Sequence, residues 1–423
     1  VDFATSADPA VQRQLDRLEK LSPGRDVLGL ERIGALLARL GNPERALPPV
    51  FHVAGTNGKG STCAMLRACA EAAGLSAHVY TSPHLVRFNE RIRVAGRLIE
   101  DARLAKLLEQ VLDAGDGIDP SFFEASTAAA FLAFRDTPAD LCIIEVGMGG
   151  RLDATNVFEA PAICGIAALG LDHQAFLGET LAEIAGEKAG IAKPGVPIAT
   201  LAYRHDAEAR VGAVVSARGG VRLKQGVAWD VTARDEGIVY RDAAGELALP
   251  APALPGPHQH LNAGLALAML RHQQVVAVSA TAMAEGLTEV RWPARLQRLR
   301  PGPLVRGEAW LDGGHNISAG GAIARHFAGR KLDVVIGMLA NKDAAGFLAL
   351  LAPVAESVTA VPIEGHDHHA PAHLAELAES LGLPARTAPH LAAAMGRTSE
   401  PALITGSLYL AGVALALNGE APD

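Results

Sequence analysis

The stretch Phe51-His-Val-Ala-Gly-Thr-Asn-Gly-Lys-Gly-Ser-Thr62 places Gly55, Thr56, Asn57, Gly58, Lys59, Gly60 and Ser61 directly after a short apolar strand. Glycines let successive backbone N–H groups turn inward around an anion. Lys59 adds a mobile positive charge, and a helix expected to open at Ser61 aims its positive dipole end the same way. The chemistry predicted is the cradling of a nucleoside triphosphate. The spacing departs from G-x-x-x-x-G-K-[ST], because Gly55 precedes Gly58-Lys59 by three and Gly60 intervenes before Ser61. A turn that merely needs glycine would explain neither the lysine nor the hydroxyls.

A carboxylate extends this chemistry. Leu141-Cys-Ile-Ile-Glu-Val146 reads as a buried strand whose acid, Glu145, stands among apolar residues and ahead of Gly147-Met-Gly-Gly150. Burying that charge without a cation is costly, so Glu145 is expected to hold magnesium against triphosphate oxygens. Ala162–Ala168 reads as another buried strand and leads to Asp172-His173. On pattern alone His173 is equally a hydrogen-bonded core histidine and a ligand. Ligands of open α/β sheets sit beyond the carboxyl ends of the strands, so Lys59, Glu145 and Asp172-His173 are expected to converge on one crevice.

Other charged groups are weaker signals. Arg87, Arg91, Arg93 and Arg97 crowd one short stretch, which suits a carboxylate- or phosphate-bearing small molecule but also a solvated loop. His366, His368, His369 and His373 fall in a Pro-flanked loop without cysteines and read as surface. Asn341-Lys342-Asp343 resembles the base-reading motif of GTPases, yet Ala344 stands where that motif needs a second aspartate.

The elements that must position these groups read as α/β. Two amphipathic helices open the chain, one from Pro9 to about Leu21, the other with Leu30, Ile33, Leu37 and Leu40 on one face before Gly41-Asn42-Pro43. A helix to about Gly74, a strand near His78–Thr81 and the loop Ser82–Arg91 follow the phosphate loop. Thr180-Leu-Ala-Glu183 is a capping box whose helix ends near Gly190 and carries Lys188 in its last turn. Short alternating runs over about 227–249 predict a small antiparallel appendage. Leu249–Pro257 reads as a loop and Leu261–Leu270 as a helix. A second α/β pattern begins after Arg291–Leu296, with strands expected at Glu308–Leu311 and Leu332–Gly337. The expected domains are 1–296 and 297–423.

Composition narrows the class. The 423 residues suit two or three domains. The hydrophobic fraction of 49% is dispersed, and no run approaches the roughly 18 apolar residues of a membrane span. A net charge of −8 argues against a nucleic-acid partner. Cys63, Cys69, Cys142 and Cys164 form no C-x-x-C pair and lie in apolar segments, as reduced buried thiols do. Val1–Asp8 has neither a basic n-region nor an apolar h-region, so no secretory leader is expected there and a cytoplasmic location is favoured.

Taken in order, Gly55–Ser61, Thr81-Ser-Pro-His-Leu85, Arg87-Phe-Asn-Glu-Arg-Ile92, Glu145–Asn156, Gly170-Leu-Asp-His173, Glu187-Lys-Ala-Gly-Ile191, Trp292-Pro-Ala-Arg-Leu296 and Asp312-Gly-Gly-His-Asn316 resemble the folylpolyglutamate synthase family of the Mur ligase superfamily, bifunctional dihydrofolate synthases included. The resemblance implies an α/β, Mur-ligase-like architecture: an N-terminal P-loop ATPase domain with a mostly parallel sheet and a C-terminal Rossmann-like domain, the active site lying between them. It implies an ATP-dependent ligase. A substrate carboxylate takes the γ-phosphoryl group, and the amine of L-glutamate displaces phosphate from the acyl phosphate. The implied partners are ATP, L-glutamate and dihydropteroate or a reduced folate. The implied cofactor is Mg2+ at two sites, with room for a monovalent cation, and the expected state is a monomer.

Carried over by position, the resemblance implies magnesium ligation by Ser82, Glu145 and His173 and by Lys188 as a carbamate. A carbamate turns a cation into an anion. Lys59, Glu145, His173 and Lys188 would then be the catalytic set, with Ser61 left to the triphosphate. Asn262 is implied at the adenine, Arg295 at the γ-phosphate, and Asp312 with His315 as nucleotide contacts. The pterin or folate end is implied at Pro83, Ser121, Phe122, Phe123, Glu124, Leu152, Asp153 and Ala154, covered by the loop of Arg87, Phe88 and Arg91. Core packing is an equally ordinary role for Phe122. Met148, Gly314 and Asn341 depart from the commoner family residues, and none removes a proposed ligand.

Three rivals are kept. Polyglutamylation without dihydrofolate synthesis is one. A Mur-type amino acid ligase is another, disfavoured because only 54 residues precede Gly55, fewer than the roughly 100 of a UDP-binding domain. A P-loop nucleotide switch is the third.

Overall fold

The computed structural model describes residues 5–21, 28–398 and 401–422. Val1–Ala4, the first half of the Val1–Asp8 stretch, lie outside them. Two compact units divide the chain, Val1–Ala253 with Gln259–Val290, and Leu254–His258 with Arg291–Asp423. The second unit thus starts at the head of Arg291–Leu296 and also claims part of the Pro-rich loop.

In the first unit, eight strands of the described residues form one sheet: β1 (Val50–Ala54), β2 (Ala77–Tyr80), β3 (Ile92–Val94), β4 (Arg97–Leu98), β5 (Leu141–Glu145), β6 (Ile163–Ile166), β7 (Pro197–Thr200) and β8 (Val221–Lys224). Their order is β4-β3-β2-β5-β1-β6-β7-β8. The six from β2 to β8 are parallel, and β3 and β4 are added antiparallel at one edge. Every residue of β1, β2, β5 and β6 is buried, as central parallel strands covered on both faces must be. That is why these segments read as unbroken apolar runs rather than alternating ones. Val53 lies opposite both Glu145 and Gly165, so β5, β1 and β6 end at one level, with β2 on the far side of β5.

The helix after the phosphate loop runs Lys59–Ala72 and begins two residues earlier than Ser61. Gly58 is its cap, at φ 86°, a conformation that costs a side chain energy and glycine nothing. Lys59 is therefore the first helical residue. The two helices that open the chain, Pro9–Leu21 and Glu31–Arg39, bury Val11, Leu15, Leu18, Ile33, Leu36 and Leu37 in a core shared with the helix Phe122–Arg135. Among the described residues no helix is long and apolar enough to cross a membrane.

The predicted appendage is present. β9 (Trp229–Arg234), β10 (Gly237–Asp242) and β11 (Gly245–Leu249) form a three-stranded antiparallel sheet. The second unit holds β12 (Gln297–Arg298), β13 (Ala309–Leu311), β14 (Leu332–Ile336), β15 (Ala355–Ala360), β16 (Ala385–Thr387) and β17 (Ala402–Thr405) in the order β12-β13-β17-β14-β15-β16. All are parallel except the β12–β13 pair.

Helix Ala280–Glu289 crosses the phosphate-loop helix at backbone contact: a Cβ on Gly286 would stand 2.5 Å from both Cα and N of Cys69. Alanine at a helical glycine ordinarily gains up to about 1 kcal/mol, whereas forcing two backbones apart costs about 1–3 kcal/mol. Overpacking should win. Gly286→Ala is expected to lower stability by about 1–2 kcal/mol, read as a lower urea midpoint with an unchanged slope; a higher midpoint would contradict the close crossing.

Candidate functional site

The phosphate loop is stitched to the chain that follows β6. Thr56 and Asn57 donate their N–H groups to Ala168 O at 2.8 and 3.1 Å. Thr56 Oγ1 donates to Gly170 O at 3.0 Å and accepts from Gly170 N at 3.1 Å. Gly55 sits at φ 150°, and a Cβ there would meet the Ala167 Cβ at 2.9 Å. The first glycine of the motif is thus set by the neighbouring chain segment at Ala167. At the other end Gly58 packs on the Asn262 side chain, leaving no room for a Cβ. Ser61 lies buried in the first helical turn.

Two lysines converge on one oxygen. Lys59 Nζ donates to Gly55 O at 3.1 Å, and Lys188 Nζ donates to the same oxygen at 3.0 Å. Lys188 is buried, and burial together with the neighbouring Lys59 pushes its pKa down to about 7, against the pull of Asp172 and Asp153. Its helix, Leu181–Ala189, is capped by Thr180 and Glu183 as predicted. Beside the loop, buried Glu145 ends β5 and accepts the Ser82 N–H at 3.2 Å. A carboxylate and a hydroxyl at neighbouring strand ends are hard oxygen donors of the kind magnesium takes. Among the described residues no three His, Cys, Asp or Glu side chains gather for a metal. His173 is no core histidine: its side chain is 41% exposed, its backbone is left-handed at φ 53°, and Asp172 lies 4.0 Å away.

The glycines after Glu145 have a partner that the sequence did not reveal. A Cβ on Gly150 would stand 2.8 Å from Glu187 O and 3.0 Å from Lys188 O, and one on Gly190 would strike Arg151. Arg151 N donates to Glu187 O at 2.8 Å, Arg151 Nη2 meets Glu187 Oε1 at 2.9 Å, and Asn156 Nδ2 reaches Gly190 O at 3.2 Å. The Glu145–Asn156 and Glu187–Ile191 motifs are therefore two sides of one packed joint, and the joint holds Lys188 in place.

The residues expected at the pterin end fall into several settings. Phe123 is half-buried, 5.9 Å from Tyr80 between ring centroids, and its ring tip lies where a Gly147 side chain would be. Phe122 belongs to the core instead. Ser121 caps its helix, and Glu124 Oε2 accepts both the Ser121 N–H at 2.7 Å and Arg32 Nε at 3.0 Å. Asp153 and Ala154 are buried and Leu152 half-buried, while Pro83 follows a cis bond from Ser82. The arginine stretch is split rather than a single patch. Arg91 is wholly buried, donates to His84 Nδ1 at 2.9 Å and stacks over Phe88 and Phe122, whereas Arg87 and Arg97 face solvent. Glu90 accepts the N–H groups of Leu85, Val86 and Arg87 at 2.7–2.8 Å and so shapes the loop.

In the second unit, buried Asp312 accepts Leu296 N–H at 2.8 Å and Gly314 N–H at 2.7 Å, tying down the segment that carries Arg295. Burial raises its pKa and Arg295 opposes the rise. Ala294 and Leu296, on either side of Arg295, both have positive φ, a strain that the Asp312 anchor helps maintain. His315 Nδ1 lies 2.9 Å from Gly313 O. Asp343 caps the helix Ala344–Leu351, which accounts for the acid of Asn341-Lys342-Asp343 without a base. His366 stacks on Tyr409 at 3.8 Å between ring centroids, and His369 meets Lys342 O at 2.8 Å.

No family model matches the chain. Among curated proteins, the dihydrofolate synthase/folylpolyglutamate synthase of Escherichia coli is 38% identical over 361 residues, covering 83% of this chain and 81% of its own. That of Bacillus subtilis is 35% identical over 78% and 80%. Among solved structures, E. coli FolC in complex with DHPP and ADP superposes with a TM-score of 0.88 at 32% identity, over 98% of this chain and 99% of that one. The Mycobacterium tuberculosis folylpolyglutamate synthase complexed with ADP and AMPPCP gives 0.86 at 31%, over 98% and 100%. A bifunctional enzyme with Mn, AMPPNP and L-glutamate bound gives 0.85 at 31%, over 98% and 99%. Likeness of this extent, in sequence and in fold alike, means that the chain belongs to the dihydrofolate synthase/folylpolyglutamate synthase family.

Proposed function

We propose that the protein joins L-glutamate both to dihydropteroate and to reduced folates, using ATP. It is an ATP-dependent acid–amino-acid ligase. A carboxylate oxygen of the pteridine substrate attacks the γ-phosphorus and ADP leaves. The glutamate nitrogen then attacks the acyl carbon, loses a proton, and inorganic phosphate departs. The observation that carries this reading is the pair of lysines on Gly55 O beside Glu145. Lys59 exchanges that carbonyl for the triphosphate, which the loop N–H groups and the helix N-terminus also receive.

Ser82, Glu145 and His173 would hold magnesium, with the carbamate of Lys188 as a further anion; such an ion, when bound, offsets charge on the phosphate oxygens. The lowered pKa of Lys188 supports the carbamate, because only a neutral amine adds carbon dioxide. We assign Gly55–Ser61 and Asn262 to ATP, with Arg295, Asp312 and His315 as the second unit's own nucleotide contacts. Phe123, Leu152, Asp153 and Ala154 form the pterin contacts, with Pro83 and Ser121 beside them. Four free, buried thiols suit the cytoplasm, where we locate the enzyme.

Glutamate-dependent phosphate release is expected with dihydropteroate and with tetrahydrofolate; failure with the first alone would restrict the enzyme to polyglutamylation, and release independent of glutamate would point to a nucleotide switch. Lys188→Ala is expected to lower kcat by about 100-fold or more, with no recovery in bicarbonate, and full activity would refute the carbamate. In the nucleotide-free protein stripped of carbon dioxide and bicarbonate, the unmodified Lys188 amine should titrate near pH 7 by NMR of isotope-labelled lysine. A Lys188 ammonium still charged at about pH 9, like ordinary lysines, would contradict the neutral amine.

A further inference from the structure

His52, in the middle of β1, takes no part in the chemistry assigned above, yet it is fully buried and hydrogen-bonded toward a proposed pterin contact. Its Nε2 lies 2.9 Å from Thr155 Oγ1. Thr155 Oγ1 in turn donates to Asp153 Oδ1 at 2.5 Å. A hydroxyl has one proton, and a carboxylate at that distance takes it, so Thr155 can offer His52 only a lone pair. His52 must then carry its proton on Nε2 and leave Nδ1 bare. Nδ1 has no hydrogen-bond partner among the described residues, as that tautomer requires. The Phe158 ring meets the imidazole edge-on, with centroids 5.7 Å apart. Burial and the nearby Lys193 push the His52 pKa down to about 3, so the ring is neutral across the physiological range.

The result is a one-way string of donation from β1 to the carboxylate. Asp153 Oδ1 also accepts the Thr155 N–H at 3.0 Å, and Oδ2 accepts the Met148 N–H at 2.8 Å. These three donors oppose the burial that raises the Asp153 pKa, and they fix the plane of the carboxylate. We infer that His52 is a positioning residue that acts through Thr155 to orient Asp153 and thereby sets affinity for the pteridine end of the substrate. The inference rests on the reading of Asp153 as a pterin contact. With both lone pairs of Oδ1 and one of Oδ2 taken, the remaining acceptor position on Oδ2 suits one N–H donor of a 2-amino-4-oxopteridine, and a misaligned carboxylate would lose that charge-assisted bond.

The test compares kcat and the separate KM values of full-length variants for dihydropteroate, ATP and glutamate. His52→Leu keeps the bulk and removes the donor; it is expected to raise KM for dihydropteroate about tenfold, as loss of a buried hydrogen bond does, with kcat and the other KM values within about twofold. His52→Gln, which restores an N–H donor, should recover most of that loss. The double variant His52→Leu/Thr155→Val should be no worse than Thr155→Val alone, since both break one string. A merely structural role would lower kcat or move every KM together, would not be rescued by glutamine, and would add in the double variant; any of these overturns the inference. Asp153→Asn separates the two readings. An unchanged dihydropteroate KM there overturns the pterin assignment and the string with it, whereas a raised KM there with a normal one in His52→Leu overturns the string alone.

Discussion

A single backbone oxygen, that of Gly55, accepts hydrogen bonds from two lysines, and the surrounding structure depends on making that tolerable. Each nitrogen lies about 3 Å from the same atom, so the two are at most about 6 Å apart. At an effective dielectric of about 20, two full charges would then repel by about 3 kcal/mol. Burial adds a larger penalty on the same side, and Lys188 is the one that yields, with its pKa near 7. Asp172 and Asp153 supply the countercharge that keeps the drop from going further. A phosphate loop that carries one positive charge and one group poised to lose its charge differs chemically from a loop with two fixed cations. In the first, the burial of Lys188 beside Lys59 favours a neutral amine at Gly55 O.

Keeping Lys188 there requires bringing a helix end close to a loop. The contact is made at glycines because only they admit the approach: Gly150 lies against the last carbonyls of the Lys188 helix, and Gly190 lies against Arg151. The exposed Arg151–Glu187 ion pair across the joint, with half the arginine side chain in water, adds little to stability. The backbone bond Arg151 N to Glu187 O and the Asn156 amide on Gly190 O define the geometry instead. The parallel sheet does the same job on the other side. With β5 between β1 and β2, Glu145 and Ser82 finish beside the loop, and the Thr56–Gly170 hydroxyl bonds carry the loop over to the Asp172-His173 segment.

Much of this could be read from one chain because the chemistry and the local geometry use the same residues. Thr180-x-x-Glu183 is a capping box wherever it occurs, so Lys188 could be placed in a last helical turn without any tertiary information. The buried runs of β1, β5 and β6 could be read for the same reason. The start of the phosphate helix could not, since Gly58 caps it in a left-handed turn and moves the first helical residue back to Lys59. The arginine stretch could not be resolved from sequence because the environment of Arg91 is made by His84 and by Phe122 from a distant helix. No local pattern separates it from solvent-facing Arg87. The Gly150–Gly190 joint joins two motifs whose glycines stand forty positions apart in the chain, and each alone looks like an ordinary glycine turn.

The buried acids show how the fold holds charge without water. Glu124, Asp153 and Asp312 each accept at least one backbone N–H close to their own position in the chain. Such bonds cost little entropy, because the donors are already ordered by a helix start or a tight turn. They stabilise the ionised form against desolvation. They also consume lone pairs, so each acid meets a ligand only with what remains and only in the orientation its donors permit. The donors behind Asp153 fix the plane of its carboxylate, while Asp312 holds the amide that follows Arg295. The strain in that backbone, two positive-φ residues flanking one arginine, persists because the carboxylate of Asp312 holds the amide of Leu296 on one side and that of Gly314 on the other.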